Sequence, residues 1–157
     1  MKLLIRNGKV CFENAIEAAD ILVENGKVAA LGPFPDAIRS AKRIDAKGLF
    51  VLPGLRPHAS NALIELAQRI ATAPAKAFRI YPQKGTIKVG SDADLSIVDI
   101  HGQARPIQSS LAGSYETYPG QSRTLDFKYV LVHGEVVVSN NQLLEGSLPG
   151  GACLCRN

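Results

Sequence analysis

A strand–turn–strand pattern that occurs three times along the chain most constrains its fold. Residues 3–10 read LLIRNGKV, residues 21–28 read ILVENGKV, and a looser copy at residues 130–138 reads VLVHGEVVV. Asn-Gly is the strongest short hairpin signal, because a type I′ turn needs positive φ at both central residues. We therefore predict three β-hairpins, and His133-Gly134 leaves room for a longer turn in the third.

Further β-rich runs lie at residues 43–45, 49–51 and 95–99. The last of these runs alternates apolar and polar side chains, which is typical of a half-buried strand. Residues 103–125 are polar and carry Gly and Pro, so they are predicted to form a long loop. Strands are thus expected from both ends of the chain.

Helical periodicity is confined to the middle of the chain. Asn61 is a good N-cap, and apolar residues follow it with the spacing of an amphipathic helix, at Leu63, Ile64, Leu66, Ala67 and Ile70. Thr72 precedes Pro74 as a capping residue precedes a proline in the first turn of a helix. We predict one or two short helices, the second capped by Thr72 and ending near Phe78.

These elements predict a mainly β fold, a small composite β-sandwich in a single domain of residues 1–157. Residues 1–55 would form its N-terminal half and residues 79–157 its C-terminal half. Residues 56–78 would supply the bridge and the helices. A chain of this length has the size of one domain, and both halves are expected to share one core.

Composition and charge argue against several classes of protein. The net charge is +4, but the chain has no run of basic residues with interleaved aromatics, so nucleic acid is not an expected partner. No apolar stretch reaches the length of about 18 residues that spans a membrane. Three cysteines, an odd number, argue against a disulfide framework and favour a cytoplasmic setting. Cys11 is predicted to be buried in a strand, and Cys153 and Cys155 lack partners for a metal site.

Asp92 and Asp94 are candidates for a carboxylate pair that binds a cation. They stand in a polar turn that leads into the strand at Leu95. A turn in which both carboxylates accept backbone N–H groups is the favoured interpretation. The sequence has no GxSxG elbow, no P-loop and no spaced CxxC pair. Motifs of this kind therefore assign no catalytic residue.

Four further segments carry a family resemblance. They are residues 45–48 (DAKG), 51–54 (VLPG), 72–95 and 130–137. Together with the NGKV repeats, they resemble the amidohydrolase superfamily, most closely its hydantoinase, dihydropyrimidinase and dihydroorotase branch. The resemblance implies the non-catalytic composite β-sandwich of the urease and hydantoinase type. It also implies a catalytic TIM barrel of about 250 residues, which is missing between Gly54 and Asn61.

The resemblance further implies a divalent metal such as zinc, which polarises a carbonyl and activates a water. A His-x-His pair of ligands is expected just after the Pro-Gly turn. His58 matches the first histidine, but Ser60 stands at the second, and Arg56 occupies the region of an expected acidic residue. A hydroxyl poorly replaces an imidazole, and a guanidinium repels a divalent cation. We therefore assign no catalytic, metal or cofactor-binding residue, with His58 as a weak metal candidate, and expect no cofactor.

Three functional hypotheses follow. The first is a catalytically silent, barrel-less relative of the metal-dependent cyclic-amide hydrolases, which act on non-peptide C–N bonds. The second is an interaction subunit that pairs with itself, most simply as a dimer through the apolar face of helix 61–70, or with an active amidohydrolase. The third is an active hydrolase with an atypical or shared metal site. Metal content distinguishes the third hypothesis from the other two.

Overall fold

The computed structural model describes residues 1–35, 42–54, 63–101 and 126–144, without the side chain of Leu66. Within these ranges the strands are β1 (Lys2–Cys11), β2 (Ile16–Glu24), β3 (Lys27–Leu31), β4 (Lys42–Asp45), β5 (Phe50–Pro53), β6 (Leu95–Asp99), β7 (Asp126–Val132), β8 (Glu135–Ser139) and β9 (Gln142–Leu143). The helical residues are α1 (Leu63–Ala67), a π-helical segment (Gln68–Thr72) and α2 (Ala73–Ala77). The predicted mainly β fold is confirmed, and β4, β5 and β6 lie at the predicted positions. The sequence predicts a half-buried β6, but its side chains from Leu95 to Val98 are buried on both faces, because the strand pairs with β5 and β7 inside the sheet. The loop predicted at residues 103–125 lies outside the described residues.

All of these strands belong to one hydrogen-bonded sheet. Its order is β3-β2-β1-β5-β6-β7-β8-β9, with β4 beside β1. β1 runs parallel to both β4 and β5, and the other neighbouring pairs are antiparallel. The sheet is therefore continuous, and the described strands do not divide into two separately hydrogen-bonded sheets.

Strands from both ends of the chain contribute to one hydrophobic cluster. Ile5 of β1 and Ile21 of β2 lie in the same buried cluster as Ile97 of β6 and Leu131 of β7. Two backbone hydrogen bonds of Ala93 connect the β2–β3 turn with the β7–β8 turn, which is distant in sequence. Ala93 donates its N–H to the carbonyl of Gly26 at 2.8 Å and accepts the N–H of Gly134 at 3.0 Å. The sheet thus bends until the β2–β3 turn meets the β7–β8 turn.

Two of the three predicted hairpins are confirmed. Asn25 and Gly26 have φ values of 51° and 77° and join β2 to β3. His133 and Gly134 have φ values of 48° and 77° and join β7 to β8. Positive φ at both central residues is the signature of a type I′ turn. The β7–β8 connection is therefore a two-residue turn, and no longer loop is needed.

The hairpin predicted at Asn7-Gly8 is wrong. β1 continues through both residues, and its pairing with β2 shifts register between Ile5 and Gly8. Asn7 has a φ of 60°, and its N–H donates to Oδ1 of Asp20 at 2.9 Å. Some β-bulges place a residue in the left-handed region, as a type I′ turn does, so the same dipeptide fits both. A Cβ on Gly8 would lie 2.8 Å from a methyl group of Val51, which explains the glycine.

The helical segment lies against the opposite face of the sheet. Leu63, Ala67 and Ile70 pack with a second cluster, whose other buried members are Cys11, Phe50, Leu52, Val98 and Phe127. Leu63 and Ile70 are two of the residues predicted to form a dimer contact, and they are engaged within the chain. Self-association stays a prediction. Among the described residues, no helix is long and apolar enough to cross a membrane.

Thr72 does not cap a second helix, so that prediction is wrong. Its φ and ψ are −70° and −49°, and its side chain makes no capping hydrogen bond. The π-helical segment runs directly into α2, and Pro74 lies in the first turn of α2, as predicted. The Thr72 hydroxyl instead donates to the carbonyl of Gly85 at 2.7 Å. Helix α2 is followed by Phe78 at its C-cap, as predicted, while Asn61 lies outside the described residues.

Candidate functional site

The expected entrance to a catalytic barrel lies between Gly54, which follows β5, and Leu63, where α1 begins. Gly54 donates its N–H to the carbonyl of Asp94 at 2.9 Å, so the end of β5 is fixed beside the start of β6. Residues 55–62 include Arg56, His58 and Ser60 and lie outside the described residues. The prediction that these residues form no metal site therefore stays a prediction.

The other two histidines lie in a bend and in a turn. His101 lies in a bend after β6, and its N–H donates to Oδ1 of Asp99 at 2.9 Å. His133 occupies the β7–β8 turn. Over the described ranges, no three His, Cys, Asp or Glu side chains are grouped closely enough to hold a metal ion. Cys153 and Cys155 lie beyond those ranges.

Asp92 and Asp94 do share a cation, but this cation is the side chain of Lys84 and not a bound metal ion. The Lys84 ammonium lies 3.1 Å from Oδ2 of Asp92 and 2.5 Å from Oδ2 of Asp94. Lys27 adds a second ammonium, 2.8 Å from Oδ1 of Asp92. Asp94 also accepts the backbone N–H of His133 at 2.8 Å. Asp94 thus accepts a backbone N–H, but from the distant β7–β8 turn and not from its own turn, and the Asp92 carboxylate accepts side-chain donors. The predicted turn with both carboxylates on backbone N–H groups is therefore wrong.

Burial and ion pairing act in opposite directions within this lysine–aspartate cluster. Burial disfavours the charged form of Asp92, but hydrogen bonds from Lys27 and Lys84 outweigh it and lower the pKa of the carboxyl. Burial likewise disfavours the charged form of Lys84, but both carboxylates outweigh it and raise the pKa of the ammonium. Asp92 is therefore held ionised by two cations. It is not available as a general base or a metal ligand without disrupting these pairs.

A second polar cluster, formed by Glu13, Gln68, Lys76 and Tyr81, joins the helical segment to the β1–β2 turn. Oε1 of Glu13 lies 2.6 Å from the Lys76 ammonium, and Oε2 accepts the Tyr81 hydroxyl at 2.8 Å. Gln68 donates to the backbone carbonyl of Glu13 at 2.8 Å. The Lys76 ammonium also stands 4.8 Å from the centre of the Tyr81 ring, within cation–π range.

The hydrogen bonds of this second cluster set its charge state. Those from Lys76 and then Tyr81 lower the pKa of Glu13, and the bond to Glu13 raises the pKa of Tyr81. Sequence reasoning assigned no role to Glu13, Lys76, Tyr81 or Lys84. The partners of Glu13 lie up to 68 residues away along the chain, and no local spacing marks such pairs. Lys84 differs, because its partner Asp94 lies 10 residues away in the same loop.

Neither cluster presents an activated nucleophile. The carboxylates of both polar clusters are paired with lysines of the protein. Cys11, which lies near the Glu13 cluster, is buried. Burial raises the pKa of the Cys11 thiol to about 12, so the thiolate that would be reactive is not formed near neutral pH. Cys11 is thus the buried, inert residue in a strand that the sequence predicts. The described arrangement joins segments of the fold and does not assemble reacting groups.

Comparison with known proteins defines the family. A family model described as "Amidohydrolase family" matches residues 17–137. A D-hydantoinase from Ralstonia pickettii is 38% identical over 91 residues, which are 57% of this chain and 19% of the relative. An L-hydantoinase from Paenarthrobacter aurescens is 36% identical over 85 residues, 53% of this chain and 19% of the relative. The chain thus spans about a fifth of the length of these curated relatives.

Solved structures of the same group are also similar. A dihydropyrimidinase from Brevibacillus agri NCHU1002 has 42% identity and a TM-score of 0.32, over 37% of this chain and 13% of that structure. A D-hydantoinase from Thermus sp. has 35% identity and a TM-score of 0.32, over 36% of this chain and 12% of that structure. Because the family model matches most of the sequence, the chain belongs to the amidohydrolase family.

Proposed function

We propose that this chain is a non-catalytic β-rich module of the amidohydrolase family and is catalytically silent as it stands. The observation that carries the proposal is the distance along the chain between β5, which ends at Pro53, and α1, which begins at Leu63. A (β/α)₈ barrel needs about 250 residues. The stretch 55–62 is far too short to form one.

The chemistry of the family gives the physical reason for silence. Hydrolysis of a cyclic amide needs a metal-activated water and stabilisation of the developing oxyanion. A catalytic zinc site typically uses about three protein ligands and a water. His58 is the single histidine of residues 55–62, and the described carboxylates of the two clusters are paired with lysines. The substrate pocket of such enzymes is built by barrel loops.

We further propose that residues 1–157 form one composite domain. Its N-terminal half would be residues 1–55, its C-terminal half residues 79–157, and residues 56–78 would connect them. The shared cluster of Ile5, Ile21, Ile97 and Leu131 supports this organisation. So do the hydrogen bonds that join Ala93 to both tight turns.

The proposed silence is tested by metal analysis and by an activity assay on the full chain. Protein purified without a His tag is analysed for bound metals and assayed with hydantoin, dihydropyrimidine and dihydroorotate in added zinc or manganese. These are the cyclic amides that correspond to the relatives' names and to the resembled branch. We expect no stoichiometric metal and no turnover above the protein-free background.

A pair of histidine variants makes the test specific. His58→Ala removes the candidate ligand, and His101→Ala removes a histidine from the bend after β6 as a matched control. Stoichiometric metal together with turnover that His58→Ala abolishes and His101→Ala preserves would overturn the proposal. That result would favour an active hydrolase with an atypical site.

A further inference from the structure

We propose that Asn25 is a site of spontaneous deamidation and that the fold protects Asn7, which stands in the same dipeptide. Asn-Gly occurs twice in the sequence, at Asn7-Gly8 and at Asn25-Gly26. Both asparagines have positive φ, 60° for Asn7 and 51° for Asn25. The two sites therefore share their local sequence and the left-handed backbone region, and they differ in what surrounds them.

Deamidation at Asn-Gly needs only water as a co-reactant. The backbone nitrogen of the glycine loses its proton and attacks the side-chain carbonyl carbon of the asparagine. A carbon–nitrogen bond forms, the side-chain carbon–nitrogen bond breaks, and ammonia leaves. Water then opens the resulting succinimide at either carbonyl and gives aspartate or isoaspartate. Glycine favours the attack because it has no Cβ to hinder the approach.

Asn7 is held on both its backbone and its side chain. Its N–H donates to Oδ1 of Asp20 at 2.9 Å, and its side-chain amide donates to Oδ1 of Asp45 at 3.0 Å. Gly8 is buried and is the register partner of Ala19 in the β1–β2 ladder. Ring closure would have to turn the amide away from Asp45 and move Gly8 within a packed sheet.

Asn25 lacks these restraints. Like Asn7 it is exposed, but its N–H makes only one long bond, of 3.4 Å, to the carbonyl of Met1. In the part of the chain that the structure describes, its side-chain amide forms no hydrogen bond. Gly26 lies between the paired residues Glu24 and Lys27, outside the β2–β3 ladder. The attacking nitrogen of Gly26 is therefore free of ladder bonds, although the carbonyl of Gly26 accepts the N–H of Ala93 and the His133 ring fills the space where a Gly26 Cβ would lie.

The modification would act on the contact between the two tight turns. Isoaspartate inserts the Cβ of residue 25 into the main chain immediately before Gly26. The carbonyl of Gly26 accepts the N–H of Ala93 at 2.8 Å, and a Cβ built on Gly134 would lie only 3.2 Å from the Gly26 Cα. A longer backbone at this point displaces Gly26 from both neighbours. The product is expected to melt at a lower temperature than the parent chain.

Peptide mass spectrometry on the aged full-length chain tests the proposal. The protein is incubated in mildly alkaline buffer, and the replacement of NH₂ by OH is followed separately at the two asparagines. We expect deamidation at Asn25 to be at least severalfold faster than at Asn7. In urea-unfolded chain the two rates should converge, because the protection of Asn7 comes from the fold. Equal rates in the folded chain, faster reaction at Asn7, or no reaction at Asn25 would overturn the proposal.

Two variants complete the experiment. Asn25→Gly keeps a turn sequence suited to positive φ and should abolish the signal at position 25 without changing the rate at Asn7. Asn25→Asp introduces the charge of the product without lengthening the backbone, and we expect its melting temperature to stay close to that of the parent. A melting temperature as low as that of the isoaspartate form would contradict the assigned role of the backbone.

Discussion

Lys84 binds two carboxylates and, through Asp94, is linked to the β7–β8 turn. Its ammonium binds the carboxylates of Asp92 and Asp94, and Asp94 in turn accepts the N–H of His133 in the β7–β8 turn. The Asp92 side chain is only 5% exposed, and that of Lys84 is 27% exposed. Removing the ammonium would leave the nearly buried Asp92 with Lys27 as its remaining cation.

We predict that Lys84→Met destabilises the chain. The expected loss is about 2 kcal/mol, within the range for hydrogen bonds to charged groups, and urea unfolding measures it. Lys88→Met is the matched control, because Lys88 is an exposed lysine of the same segment. A loss for Lys84→Met no larger than that for Lys88→Met would show that the ion pairs contribute little.

The same variant has a defined pH signature. The pKa of Asp92 is lowered by folding, so its contribution to stability is present above its ordinary pKa and is lost as pH falls through the lowered value. The pKa of Lys84 is raised, so its contribution is lost only as pH rises through that raised value. The stability of Lys84→Met should therefore fall less steeply in acid than that of the parent chain.

At the scale of elements, the loop of residues 78–94 is shaped to lie on the helical segment. A Cβ on Gly85 would lie 2.6 Å from the carbonyl oxygen of Ala71 and 2.6 Å from the Cβ of Ala75. Gly90 in the same loop also has positive φ, yet nothing lies within 4 Å of a Cβ built there. Gly85 therefore combines a positive φ with close packing, whereas Gly90 has a positive φ alone.

We predict that Gly85→Ala is more destabilising than Gly90→Ala. Both substitutions incur about 1–2 kcal/mol for a left-handed non-glycine residue. Gly85→Ala adds about 1–3 kcal/mol of overpacking, because backbone atoms of the helical segment cannot move aside as a flexible side chain can. Chemical denaturation of both variants checks the difference. Equal losses would mean that the loop can move away from the helical segment without cost.

How far the sequence predicts these elements depends on whether their signal is local. The strands and two tight turns follow from β-rich runs and from dipeptides that tolerate positive φ, whereas the alternation in residues 95–99 wrongly indicates a half-buried strand. Asn7-Gly8 carries the same local signal, but the partner that makes it a bulge, Asp20, lies on the next strand. Thr72 resembles a cap locally, yet its hydroxyl bonds to Gly85. The Glu13 cluster could not be predicted, because contacts distant in sequence create it. Lys84 lies in the same loop as Asp92 and Asp94, but Lys27, which pairs with Asp92, is 65 residues away.

At the scale of the whole molecule, the shared core implies that the two ends of the chain unfold together. Leu131 of β7 is 1% exposed and lies in the same cluster as Ile5 and Ile21. Removing its side-chain methyl groups would leave a cavity among residues from both ends. If the C-terminal strands formed a separate unit, the loss of stability would be confined to those strands.

We predict that Leu131→Ala lowers the stability of one cooperative transition by about 2–5 kcal/mol, as large-to-small core substitutions do. Val89→Ala is the control, because Val89 is 57% exposed and should change stability by no more than about 0.5 kcal/mol. Hydrogen exchange should show amides of β1 and β2 losing protection together with those of β6 and β7. Two transitions, with β1 and β2 unaffected, would contradict the proposed composite domain.

The position of β5 in the sheet has a consequence for synthesis of the chain on the ribosome. β1 already has neighbours within residues 1–54, namely β2, β4 and β5, so these strands can pair soon after they emerge. The other edge of β5 must wait for β6, which begins only at Leu95. At about 5–20 residues per second, that edge stays open for a few seconds. An open strand edge readily pairs with other chains, so we expect slower translation through residues 55–94 to lower the yield of folded protein.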